Sequence, residues 1–172
     1  MERVYLVEDG LGFEERGVFG LLSAFSSRER VYLTEGLSEF ADSVGIKKKS
    51  LLRILKSLEE KGYLTINRRK LPTRTYTTDI KLNFQKGKWI RVPRSFLFVG
   101  SPKERGLLLT LTSMAKPYKL SQVKKASFYL YELFTPDAGS RVSLRKLLRS
   151  LQSKGFILIE RTRPFYVVRV IL

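Results

Sequence analysis

The sequence predicts an α+β protein made of two copies of one unit, each built of three helices followed by a β-hairpin. Three observations carry that prediction. Residues 50–68 (SLLRILKSLEEKGYLTINR) align without a gap on residues 143–161 (SLRKLLRSLQSKGFILIER), with nine of nineteen positions identical. Chance would give roughly one or two. The match runs through Lys61-Gly62 and Lys154-Gly155 into alternating β-type sequence, so shared helical amphipathicity does not explain it. Upstream, Glu15-Arg16-Gly17 followed by VFGLLSAF corresponds to Glu104-Arg105-Gly106 followed by LLLTLTSM. The two blocks are offset by 93 and 89 residues, which places a short insertion in the second copy around the TPDAG turn at 135–139.

In the first copy, residues 14–26 read as an apolar helix after a turn at Gly10 and Gly12, and residues 31–34 as a short strand. Residues 37–44 form a second helix that Gly45 ends. Ser50, Leu51, Ile54, Leu55 and Leu58 then recur with the spacing of a third helix, and Gly62 suits its left-handed C-cap. Residues 63–68 and 75–83 are β-branched and aromatic runs on either side of RKLPTR, a hairpin with a basic tip.

The second copy repeats this order. Residues 105–115 form the apolar helix, YKL at 118–120 the short strand, and residues 140–154 the third helix. Phe128, Tyr129, Tyr131 and Phe134 lie on an aromatic helical segment used mainly for packing. The hairpin spans 156–172 with only RTRP between its strands, and its last strand, ending in VVRVIL, is expected to be buried. These limits give an amino-terminal domain at 1–84, a linker at 85–94 in which Trp89 is a packing anchor, and a carboxy-terminal domain at 95–172.

Helix, short strand, two helices across a tight turn and a hairpin is the order of a winged helix-turn-helix domain. Residues 41–64 carry the resemblance, through Gly45-Ile46, Ser50-Leu51, Arg53, Leu55, Leu58 and Lys61-Gly62-Tyr63-Leu64. They resemble the turn, recognition helix and start of the wing in bacterial and archaeal winged-helix regulators. Two such units in one chain are similar to the replication initiators of plasmids and viruses and to MarR-like transcription regulators. The resemblance implies a DNA-binding role, and it is more specific for fold than for biological role.

Composition points the same way independently. The 172 residues carry 33 lysines and arginines against 16 aspartates and glutamates, a formal charge of +17 that calls for a polyanionic partner. Residues 1–45 are net −5 and residues 46–172 net +22, so the polyanion meets the later segments. With no histidine and no cysteine, zinc fingers, thiol hydrolases, Ser-His-Asp hydrolases and histidine-dependent nucleases are excluded, and disulfides cannot form. No apolar run is long enough to span a bilayer and no secretory signal follows the acidic start, so a cytoplasmic, nucleoid-associated protein is expected. The glycines near residue 12 lack the spacing of a nucleotide loop, and no cofactor, metal or catalytic residue is expected.

The candidate DNA-binding residues follow from helix electrostatics. Lys47, Lys48 and Lys49 sit at the start of the third helix, where the dipole and free amides already present positive potential. Local folding energetics disfavour them there, and the second copy has Ser140 at the position of Lys47. In the first copy Lys47, Lys48, Lys49, Ser50 and Arg53 are expected nearest bases and phosphates, with Lys56 further along the backbone and Arg68, Arg69, Lys70 and Arg74 on the wing. The second copy offers Arg141, Arg145, Lys146 and Arg149 on the helix and Arg161 and Arg163 on the wing, with Lys124 and Lys125 as further phosphate contacts. Tandem units would cover two half-sites about 34 Å apart.

Other readings stay open from sequence. The acidic amino-terminal segment offers a surface for a homodimer or another protein. A structural subunit that binds protein partners, or coats DNA without sequence preference, is the alternative class, and double-stranded RNA is the other polyanion that the charge allows.

Overall fold

The computed structural model describes residues 1–33, 36–73, 76–118, 123–133 and 140–172. In the first copy, β1 (Glu2–Val7) precedes α1 (Phe13–Phe25), β2 (Arg30–Leu33), α2 (Leu37–Ser43), α3 (Lys48–Glu60) and the hairpin β3 (Leu64–Lys70) and β4 (Tyr76–Leu82). In the second, β5 (Gly87–Val92) precedes α4 (Pro102–Met114), β6 (Lys116–Pro117), β7 (Val123–Phe128), α5 (Arg141–Ser153) and the hairpin β8 (Ile157–Arg161) and β9 (Tyr166–Ile171). Two 3-10 turns cover Arg94–Phe98 and Leu130–Leu133. Among the described residues the fold is thus α+β, with five α-helices and three antiparallel sheets in the orders β1-β5, β2-β4-β3 and β6-β7-β9-β8.

The core forms around α1 and α4, which are apolar on every side and therefore buried on every side. Val18, Phe19, Leu21 and Leu22 of α1 and Leu107, Leu108, Leu109 and Leu111 of α4 are fully enclosed. Where the two helices cross, a methyl group at Gly17 would collide with the carbonyl oxygen of Pro102, and one at Gly106 with that of Phe13. Each member of this contact lies 89 residues from its counterpart, so the crossing is a pseudo-two-fold. The hydroxyls it encloses donate within their own helices. Ser23 donates to the Gly20 carbonyl at 2.7 Å, Thr110 to Gly106 at 2.8 Å and Thr112 to Leu108 at 2.7 Å.

Helices α3 and α5 bury one apolar stripe, Leu51, Ile54, Leu55 and Leu58 in one and Leu144, Leu148 and Leu151 in the other. Both end as the glycines demand, with Gly62 at φ +79° and Gly155 at φ +78°. There the Tyr63 amide donates to the Leu58 carbonyl at 2.9 Å and the Phe156 amide to Leu151 at 3.1 Å. Side chains then fasten each helix end to its hairpin: Glu59 accepts from the Ile66 amide at 2.9 Å, and Gln152 from the Ile159 amide at 2.7 Å. Strand β9, expected to be buried, lies between β7 and β8 with Tyr166, Val167, Val168 and Val170 enclosed.

Several expectations are corrected. Within the expected linker at 85–94, β5 pairs along its whole length with β1, from Glu2↔Val92 to Val7↔Gly87. Strand β1 itself was not foreseen. Trp89 lies in β5, its ring 5.2 Å from that of Tyr5 and 4.9 Å from that of Phe84. The described part of the aromatic segment, residues 128–133, is the end of a strand followed by a 3-10 turn and not an α-helix. Phe128 ends β7 and stacks on Tyr166 at 5.7 Å, whereas Tyr129 and Tyr131 are exposed and stack on each other at 5.6 Å. A short strand, β6, covers Lys116–Pro117; Lys119 and Leu120 of the strand expected at 118–120, together with Phe134 and the turn at 135–139, lie outside the described residues.

Candidate nucleic-acid interface

Glu15 and Glu104 position the two basic helices. Each is almost fully buried on its core helix, where it accepts hydrogen bonds from a serine and a lysine one turn apart on α3 or α5. Glu15 accepts from Ser57 and from the Lys61 ammonium at 2.8 Å. Glu104 accepts from Ser150 and from Lys154 at 2.8 Å. Burial alone would raise the Glu104 pKa. Hydrogen bonds from Lys154, Ser150 and the Ser101 amide, together with the Lys154 charge, hold it below the ordinary carboxylate value. Lys61 and Lys154 are therefore structural cations, which leaves the remaining basic residues of the two helices to face outward.

On α3, Lys47 is the N-cap and makes no side-chain capping bond, and Lys47, Lys48 and Lys49 are all exposed. On α5 the equivalent Ser140 caps the helix, accepting from the Ser143 amide at 3.3 Å. Ser50 is half-buried. Lys48, Leu52, Arg68 and Glu39 line a cleft of about 550 Å³ between α2, α3 and the first hairpin, so the helix start and the hairpin share one basic face. Lys70 lies on the same side of β3 as Arg68, Arg69 is exposed on the alternate side, and Arg74 lies outside the described residues. Two members are engaged by acids: Arg53 meets Glu14 of α1 at 2.6 Å, and Lys56 lies 3.8 Å from Glu60.

The second face is built alike. Arg141, Arg145, Lys146 and Arg149 are exposed on α5, and Arg145 and Arg149 share a cleft of about 200 Å³ with Thr162 and Arg163 of the hairpin. Arg161 lies over the Phe165 ring at 5.5 Å. Lys125 is turned toward Glu160 at 3.0 Å, and Lys124 is half-buried. One basic residue escaped the sequence reading. Lys103 of α4 lines a cleft with Glu14, Arg53 and Lys61, and it occupies the position that Glu14 holds in the first copy. The break in the repeat, Glu14-Glu15-Arg16-Gly17 against Lys103-Glu104-Arg105-Gly106, was the signal for it.

Four of the nine acidic residues of the amino-terminal segment are paired internally. Glu2 lies 4.0 Å from Arg94, Glu8 3.4 Å from Lys88, Glu14 2.6 Å from Arg53 and Glu15 2.8 Å from Lys61. Among the described residues no helix is long and apolar enough to cross a membrane. No family model and no curated protein sequence matches this chain.

Proposed function

We propose that this chain binds double-stranded DNA in a sequence-specific manner through two tandem winged helix-turn-helix units, as a transcription regulator or a plasmid or virus replication initiator. One observation carries the reading. In each copy the exposed cations of the third helix and of the following hairpin border a single cleft: Lys48 with Arg68 in one, Arg145 and Arg149 with Arg163 in the other. A helix flanked by a basic hairpin suits a major groove with the adjoining phosphates.

The three lysines at the α3 start strengthen it, because without an anion they add like charge to a helix terminus that is already positive. Phosphate neutralisation supplies affinity, recognition-helix side chains supply sequence choice, and the hairpins fix register. The pseudo-two-fold crossing of α1 and α4 presents the two faces as the halves of a dimer would, while differences between the copies free the target from being palindromic. Glu14 and Glu15 of α1 are paired with Arg53 and Lys61, so these two carboxylates are neutralised beside α3.

The test is selection of bound duplexes from a randomised pool, followed by fluorescence anisotropy of the selected duplex over a salt series. Enrichment of one motif, with an affinity that falls steeply with salt, is expected. Binding without enrichment would replace this reading with non-specific coating of DNA. No duplex binding at moderate salt would redirect it to protein partners.

A further inference from the structure

We infer that the two units divide the work of recognition: α5 and its hairpin discriminate base sequence by reading guanines, and α3 supplies phosphate contacts that tolerate any sequence. This rests on the reading that the chain binds duplex DNA. At the repeat offset of 93 residues, Lys48, Leu52 and Lys56 of α3 correspond to Arg141, Arg145 and Arg149 of α5. Positions four apart lie on one helical stripe. In both helices that stripe faces the hairpin cleft, through Lys48 and Leu52 beside Arg68, and through Arg145 and Arg149 beside Arg163. The same surface thus carries two lysines and a leucine in one copy and three arginines in the other.

Those side chains differ in what they can read. A lysine ammonium is a compact point charge that satisfies phosphate from many directions. The arginine guanidinium is a planar fork whose two parallel N–H groups match O6 and N7 of guanine in the major groove. Availability differs as well. Arg141, Arg145, Lys146, Arg149 and Arg163 are exposed and have no hydrogen-bond or ion-pair partner among the described residues, and α5 contains no acidic side chain. Helix α3 ends in Glu59-Glu60, and its one arginine, Arg53, is bound to Glu14. In the second copy Lys103 stands where Glu14 would be, so no carboxylate there competes with DNA for Lys146. A fork already on a carboxylate must release it before it reads a base, and the forks of α5 have nothing to release.

The target expected from this arrangement has two unlike halves, one with guanines under α5 and one of tolerant sequence under α3. Selection from a pool of duplexes with a randomised core, then interference by methylation of guanine N7, reads this directly. Two double variants are compared with the parent protein. Arg145→Lys with Arg149→Lys keeps every charge and removes two forks. It is expected to lower discrimination between the selected duplex and its guanine-substituted version by about 10- to 100-fold while leaving the salt slope unchanged. Lys48→Gln with Lys49→Gln is expected to weaken all duplexes alike and to reduce the salt slope by about two, with the sequence preference intact. Methylation is expected to interfere in one half of the footprint only. Guanine preference that survives the arginine change, or interference in both halves equally, overturns the division of work and leaves sequence-specific binding standing. A parent protein that enriches no duplex overturns the sequence-specific reading and this inference with it.

Discussion

Arg105→Met is expected to stabilise the fold, whereas Arg16→Met at the equivalent position of the first copy is expected to destabilise it. The two arginines occupy the same place in α4 and α1, but their surroundings differ. Arg16 donates to the Leu11 carbonyl at 2.9 Å, to the Thr110 hydroxyl at 3.0 Å and to the Glu8 carbonyl. Arg105 is completely buried, and none of its three guanidinium nitrogens has a hydrogen-bond partner among the described residues. The position equivalent to Thr110 on the opposite helix is Leu21, which has nothing to accept with. Burial pushes the Arg105 pKa down to about 10. A shift of that size is about 3 kcal/mol. Since the guanidinium stays protonated at neutral pH, this energy appears as lost stability below about pH 10 and is relieved only above that. Methionine keeps much of the aliphatic volume and removes the charge, so a gain of about 1–3 kcal/mol follows. The melting temperature should rise by about 3–8 °C. Arg16→Met strands three acceptors and should lose about 2–4 kcal/mol. Urea unfolding of both variants and the parent decides the matter, and at pH 6 and pH 8 the Arg105 difference should be the same. Equal destabilisation by the two changes would refute the reasoning, because it would mean that Arg105 finds acceptors in solution.

Three further outcomes are expected. Gly106→Ala should cost about 1–3 kcal/mol in thermal unfolding, and Gly17→Ala a similar amount, because each methyl meets a backbone carbonyl of the other core helix and the helices must separate. Glu104→Gln should cost about 1–3 kcal/mol at pH 7 by removing a buried acceptor from Lys154. Because the folded-state pKa of Glu104 is lowered, its stabilisation is present above the unfolded-state pKa and is lost as pH falls through the folded one. Stability measured on acidification should therefore converge between parent and variant. Lys48→Glu with Lys49→Glu should weaken binding to the selected duplex and flatten its salt dependence, as read by anisotropy. Unchanged affinity there would remove α3 from the interface.

Elements whose signal is local were legible in the sequence. Helices α3 and α5 carry their period, their glycine stops and the start of the following strand within about twenty residues. The pair β1 and β5 was not legible, because neither strand is identifiable without a partner some eighty residues away, and the Gln85-Lys86-Gly87-Lys88 stretch has the composition of a connector. The basic faces were legible as charge, but their availability was not. Nothing near Arg53 in the sequence says that Glu14, on another helix, holds it. In the same way Arg16 and Arg105 begin like stretches of sequence, and their difference lies in acceptors elsewhere in the fold, the Leu11 and Glu8 carbonyls and the Thr110 hydroxyl, the last replaced by Leu21 at the equivalent position.

The uneven charge of the chain has a structural explanation once these pairs are traced. Residues 1–45 are net −5, and part of that charge is turned inward: Glu14 and Glu15 close on Arg53 and Lys61 of α3, and Glu8 closes on Lys88 of β5. The first copy thus spends its acids on holding α3 against α1. The second keeps only the buried half of that device, Glu104 with Ser150 and Lys154, and replaces its exposed half, Glu14, with Lys103. The fastening survives because a buried carboxylate that is fully hydrogen-bonded fixes the helix without an outer pair. Loss of the outer pair raises the potential around α5 and leaves its side chains to be ordered by something else. An exposed pair of this kind is worth about 0–1 kcal/mol to the fold. Its removal costs little stability and gives the second copy a stronger field for a polyanion than the first.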